Sequence, residues 1–235
     1  MPEIFPTSTE ESPMPNITLT AKDGRKLGAY TAKPQGKPKG ALVVLQEIFG
    51  VNHHMRNVAD WFAKEGYSVV APALFDRVKP GIELGYTPPD IEEGRNIRGK
   101  IALEDTLLDL QAAIDEAGKG GLKVGVVGYC WGGGLAYLAA TRLNGVSAAV
   151  GYYGGLVAAH AGEKTRAPVI LHFGETDQSI PMSDVEKVKK AHPDMSIFTY
   201  PSGHGFACDE RGSYNEADTK LANERTLKFF GEKLR

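Results

Sequence analysis

Three side chains able to carry out acyl transfer occur in this chain in the order thiol, carboxylate, imidazole, each in a glycine-marked setting. Cys130 sits in Gly128-Tyr129-Cys130-Trp131-Gly132, Asp177 follows Gly174-Glu175-Thr176, and His204 stands between Gly203 and Gly205. A reactive residue with glycine two positions away on both sides fits a very sharp turn from a strand into a helix. The turn presents the thiol at a helix start, where unpaired backbone N–H groups favour a thiolate. The glycines at 125, 128 and 132 do not have the G-x-G-x-x-G spacing of a dinucleotide loop, and Trp131 would crowd a pyrophosphate.

The elements that must hold these residues can be read in order. Ile17-Thr18-Leu19-Thr20 and Leu27 to Thr31 alternate around Lys22-Asp23-Gly24-Arg25, as in an antiparallel hairpin at a sheet edge. Ala41 to Leu45 is a continuous apolar run, as in a strand covered on both faces. It leads into Gln46-Glu47-Ile48-Phe49-Gly50, then a helix from about Asn52 to Glu65 and a strand over Tyr67 to Pro72. Strand, helix, strand at this spacing implies a mostly parallel sheet with helices on both faces, and functional groups at the carboxyl ends of its strands.

Asp76 to Asn96 reads as a long irregular loop able to cover a pocket, followed by a helix from about Ile97 to Ala117. The cysteine strand and its helix come next. Two more strands, Val146 to Gly151 and Ala167 to Phe173, precede Asp177, and a strand over Met195 to Tyr200 precedes His204. A closing helix runs from Glu216 to Leu234. Nucleophile, acid, histidine in that order, each at a strand end or in the loop beyond it, is the triad order of an α/β-hydrolase fold. The other five histidines, His53, His54, His160, His172 and His192, lack a comparable setting and read as structural or surface groups; His54 is the one placed to approach the mouth of the site. No metal-ligand spacing such as H-E-x-x-H occurs.

Composition narrows the function class. At 235 residues the chain suits an N-terminal arm over residues 1–16 and one α/β domain over 17–235. With 42% hydrophobic residues, 24% charged residues and a net charge of −2, there is no basic excess for nucleic acid. Two cysteines do not make a disulfide framework, and the arm lacks the basic and apolar regions of a signal peptide. No run has the length of a membrane span. A cytoplasmic protein is expected, with neither metal nor cofactor.

The chain resembles the dienelactone hydrolases (carboxymethylenebutenolidases). The resemblance rests on Gln46 to Asn52, Ala71 to Phe75, Gly125 to Gly134, Gly151-Tyr152-Tyr153-Gly154, Gly203 to Ala207, and Leu221 to Leu227, and it covers nearly all of the chain beyond the arm. It implies a Cys130, Asp177, His204 triad with Glu47 as an auxiliary acid near the thiol, and cofactor-free hydrolysis of an enol-lactone to maleylacetate through a thioester. Backbone N–H groups of Trp131 and Ile48 are placed to form an oxyanion hole. Arg77 aligns with a substrate-binding arginine of the family. Cys208 stands where the second family arginine is expected, with Arg211 three residues on as a possible substitute. Phe49, Tyr86 and Phe206 are candidate aromatic walls. The expected partner is a small-molecule lactone or ester, acted on by a monomer or weak homodimer. The alternatives are an esterase or lactonase acting on neutral or otherwise activated substrates, and a non-catalytic binding protein on the same fold.

Overall fold

The computed structural model describes residues 16–235. The arm expected over residues 1–16 therefore lies, apart from Asn16, outside the described residues. β1 (Ile17–Thr20) and β2 (Lys26–Ala32) form the expected antiparallel hairpin with Ile17 opposite Ala29. β2 also pairs antiparallel with β4 (Ser68–Pro72). Past that edge every pairing is parallel, through β3 (Ala41–Leu45), β5 (Val124–Tyr129), β6 (Val146–Tyr152), β7 (Val169–Gly174) and β8 (Ser196–Tyr200). The sheet order is β1-β2-β4-β3-β5-β6-β7-β8.

Every residue of β3, β5 and β7 is buried, which requires cover on both faces of the sheet. Helices α1 (His53–Lys64), α2 (Pro88–Gly99), α3 (Leu103–Ala117), α4 (Trp131–Arg142), α5 (Met182–Ala191) and α6 (Glu216–Lys233) supply that cover. Phe62 of α1 meets Phe230 of α6 at 6.5 Å between ring centroids, so the first and last helices share one layer. No helix among the described residues is long and apolar enough to cross a membrane.

The segment expected as one irregular loop and one helix is built differently. Residues 76–96 include most of α2, and the helix expected over 97–117 is two helices that break between Gly99 and Leu103. The cause is local: the Thr87 side chain accepts from the Asp90 N–H, the Asp90 carboxylate accepts from the Thr87 N–H, and Pro88 takes the first helical position. Such a cap contributes about 1 kcal/mol. Thr87-Pro88-Pro89-Asp90 carries this signal in the sequence itself.

Candidate active site

β5 ends at Tyr129 and α4 starts at Trp131, so the chain turns on one residue, Cys130, at φ +54°. A non-glycine residue holds that conformation only where its surroundings enforce it. Here the Cys130 N–H donates to the Tyr152 carbonyl at 3.0 Å and the Gly132 N–H to the Gln46 carbonyl at 3.1 Å. The framing glycines leave no room for a side chain: a Cβ on Gly128 would stand 2.0 Å from the Gly132 carbonyl oxygen, and one on Gly132 2.4 Å from that of Leu45. The thiol is thereby fixed at the positive end of α4.

The other two members of the sequence triad meet it. Asp177 lies just beyond β7 and His204 just beyond β8. His204 Nδ1 is 2.7 Å from Asp177 Oδ2, and the other carboxylate oxygen accepts from the backbone N–H groups of Ser179 at 2.7 Å and Ile180 at 3.1 Å. The Cys130 thiol lines the same cavity as this imidazole. Burial pulls the His204 pKa down, but the bond to Asp177 and the nearby Cys130 outweigh it and lift the group to about 10. The buried Tyr153, itself at φ +38°, lays its ring 5.1 Å from that of His204 and fixes the imidazole from behind.

Cys130 and His204 open into a cavity of about 340 Å³ that is also lined by Ile48, Phe49, Trp131, Leu156 and Ile180. Trp131 holds the first position of α4, where an N–H has no acceptor inside the helix. The Ile48 N–H donates to no carbonyl or side chain of the described residues. Ile48 and Trp131 line the same cavity as Cys130, and neither N–H has a backbone acceptor outside helices and strands among the described residues. Three arginines complete the lining, Arg95 and Arg98 from α2 and Arg211 from the segment after His204. No carboxylate is among the lining residues. α2 approaches closely because residue 94 is glycine: a Cβ there would stand 2.0 Å from the Ile48 carbonyl oxygen.

Several expected positions are corrected. Arg77 is not a cavity residue. It ends a 3-10 turn after β4, and its guanidinium is taken by the buried Asp109 at 2.7 and 2.8 Å and by Asp23 at 2.6 Å. Phe206 is fully buried against Tyr200, Tyr153 and Tyr152 and belongs to the core. Tyr86 stands behind the cavity wall, 4.6 Å from the Phe49 ring, with its hydroxyl accepting from Asn52 Nδ2. Phe49 does line the cavity.

Arg211, not Cys208, reaches inward, and its Nη1 lies 3.2 Å from Oε1 of the fully buried Glu47. Glu47, the expected auxiliary acid, accepts from Arg211 through Oε1, while its buried Oε2 has no hydrogen-bond partner among the described residues. Sequence reasoning missed Arg95, Arg98 and Tyr153. The Thr87 cap could have revealed the helix that carries the two arginines.

Beside Glu47 is a second cluster. Buried His54 places Nδ1 2.8 Å from Asp209 Oδ1, with the buried Cys208 beside it. The polar atoms of His54, Cys208 and Asp209 lie within 4.8 Å of one another. A metal ion would have to displace the hydrogen bond between His54 and Asp209.

Comparison with known proteins gives concordant results. The model of a family described as "Dienelactone hydrolase family" matches residues 27–234. The carboxymethylenebutenolidase of Pseudomonas putida is 34% identical over 226 residues, 91% of this chain and 94% of its own length. Carboxymethylenebutenolidase 1 of Cupriavidus pinatubonensis is 31% identical over 226 residues, 90% of this chain and 94% of its own. A solved structure from Klebsiella pneumoniae subsp. pneumoniae shares 30% identity and superposes with a TM-score of 0.81, covering 92% of this chain and 98% of that one.

Proposed function

The chain belongs to the dienelactone hydrolase family, hydrolases of ester and lactone bonds, and from that premise we propose that it opens carboxylate-bearing enol-lactones through a thioester on Cys130. The observation that carries this reading is that His204, hydrogen-bonded to Asp177, and Cys130 face one cavity lined by three arginines and no carboxylate.

Asp177 holds the His204 tautomer and stabilises its charged form, and His204 in turn stabilises the Cys130 thiolate. The thiolate attacks the lactone carbonyl carbon, and the oxyanion that develops takes hydrogen bonds from the Trp131 and Ile48 N–H groups, each worth on the order of 3 kcal/mol in the transition state. Collapse breaks the acyl C–O bond, and His204 gives its proton to the departing enolate. Neutral His204 then removes a proton from a water that attacks the thioester. The thiolate leaves, the product carries a new carboxylate, and one water is consumed.

Arg95 and Arg98, three residues apart on α2, stand on one helix face and can embrace a single anion. Arg211 offers a second contact, for which a substrate anion competes with Glu47.

The test is kcat/KM on a carboxylate-bearing dienelactone and on p-nitrophenyl acetate, with wild type, Cys130→Ser and Arg95→Ala/Arg98→Ala. A strong lactone preference, an inactive serine variant and an arginine variant impaired mainly on the lactone support the reading. An ester turned over as well as the lactone moves the assignment to neutral esters. Full activity of the serine variant removes Cys130 as nucleophile.

A further inference from the structure

Three consecutive residues after the His204 loop cross to one stretch near the β3 end. Asp209 reaches His54 at 2.8 Å, Glu210 reaches His53 at 2.7 Å, and Arg211 reaches Glu47 at 3.2 Å. The chain that carries them is wound in overlapping turns, with the Cys208 N–H on the Gly205 carbonyl, the Arg211 N–H on Cys208 and the Tyr214 N–H on Arg211. No backbone hydrogen bond joins residues 205–214 to residues 46–54 among the described residues. Polar attachment of the two segments therefore depends on these side chains.

The three contacts are unequal. His53 and Glu210 are 46% and 35% exposed, and an ion pair so well hydrated contributes little. His54 has no exposed side-chain surface while Asp209 keeps 29%, so their bond is shielded from water on the imidazole side. The buried Cys208 lies beside the same imidazole, and the Tyr86 hydroxyl accepts from Asn52 Nδ2. Tyr86 and Phe49 then form the aromatic wall over which Arg211 lies, at 5.9 and 5.8 Å from the ring centroids. Gly205 leaves space on the remaining side, since a Cβ there would meet Arg211 Nη1 at 2.6 Å. His54 thus reaches Arg211 through the backbone two residues away at Asp209.

We propose that His54, held by Asp209, is a positioning residue that seats Arg211 at the cavity wall and thereby sets the affinity for anionic substrates. This rests on the reading of Arg211 as a contact for the substrate anion. His54 touches neither substrate nor thiol and acts on binding through Arg211.

The experiment compares two esters of equal leaving group, mono-p-nitrophenyl glutarate and p-nitrophenyl butyrate, and reads the ratio of their KM values. His54→Leu is expected to raise the ratio about tenfold. His54→Asn, which keeps a donor near the Nδ1 position for Asp209, is expected to recover most of that change. In an Arg211→Ala background His54→Leu should shift the ratio no further, because the two residues act in series. If His54→Leu does not fold, Asp209→Asn breaks the same contact from its more exposed side and takes its place.

A ratio unchanged by His54→Leu, or an effect that persists undiminished in the Arg211→Ala background, overturns the proposal while leaving the Arg211 contact intact. An Arg211→Ala variant that shifts both KM values equally overturns the Arg211 contact itself, and the positioning role with it.

Discussion

Glu47 carries a fully buried carboxylate, and its Oε1 faces Arg211 Nη1 at 3.2 Å on the wall of the cavity into which Cys130 opens. The pair offsets part of the cost of burying that charge, while Oε2 has no hydrogen-bond partner among the described residues. It also occupies the cation proposed to meet the substrate anion. Glu47→Gln weakens the competitor, so KM for mono-p-nitrophenyl glutarate should fall several-fold relative to that for p-nitrophenyl butyrate. Steady-state kinetics on both esters check this, and an unmoved ratio would show that Glu47 and substrate do not share Arg211.

Arg77 should prove a stability residue. Its guanidinium neutralises Asp109, whose side chain has no exposed surface and whose carboxyl is pushed up by burial while Arg77 holds it down. Arg77→Ala leaves that carboxylate unpaired, at a cost on the order of 3 kcal/mol. A lower Tm with an unchanged ratio of anionic to neutral KM is expected. Arg77→Met combined with Asp109→Leu should recover much of the Tm, because removing both charges leaves no orphan.

The alkaline limb of the pH profile reports on His204. Its bond to Asp177 and the nearby Cys130 hold its pKa at about 10, so the charged imidazole is present below that pH and is lost as pH rises through it. kcat/KM on p-nitrophenyl butyrate should therefore hold to near pH 10 and fall above. Asp177→Asn removes one of the groups that raise the pKa, and the limb should move to lower pH. A limb that stays in place in that variant would assign it to another group.

His54 should make folding stability depend on pH in the same sense. Burial pulls its pKa down, yet the bond to Asp209 and the neighbouring Cys208 lift it to about 10, above the unfolded value near 6.5. Its stabilising contribution is complete below about pH 6.5 and is lost as pH approaches 10. Denaturant titrations between these limits should show wild type losing stability that His54→Leu does not. Parallel slopes for both proteins would contradict the imidazolium assignment.

At the elbow, Gly128→Ala should cost both fold and activity. The added Cβ would overlap the Gly132 carbonyl oxygen at 2.0 Å, and that oxygen belongs to backbone that cannot swing away. Thermal melting together with Cys130 alkylation by iodoacetamide reads both effects. A stable variant with an unaltered alkylation rate would show that the turn tolerates the methyl group.

The sequence by itself determined the parallel sheet, the turn at Cys130 and the convergence of Asp177 and His204, because each rests on a local rule. Apolar runs define buried strands, glycines permit the turn, and strand ends in a parallel sheet converge on one edge. Residues 88–99 were legible in principle, since the Thr87 cap is local, but the loop-like density of Pro and Gly before it masked the helix. What only the tertiary structure decided was the partner of each charged side chain. Arg77 and Arg211 look alike in a sequence, yet one meets Asp109 from α3 and the other meets Glu47 from the β3 end. Those partners lie 32 and 164 positions away in the chain. Periodicity cannot reach across such distances, and a long flexible side chain takes its direction from whichever opposite charge the folded chain brings within a few ångströms.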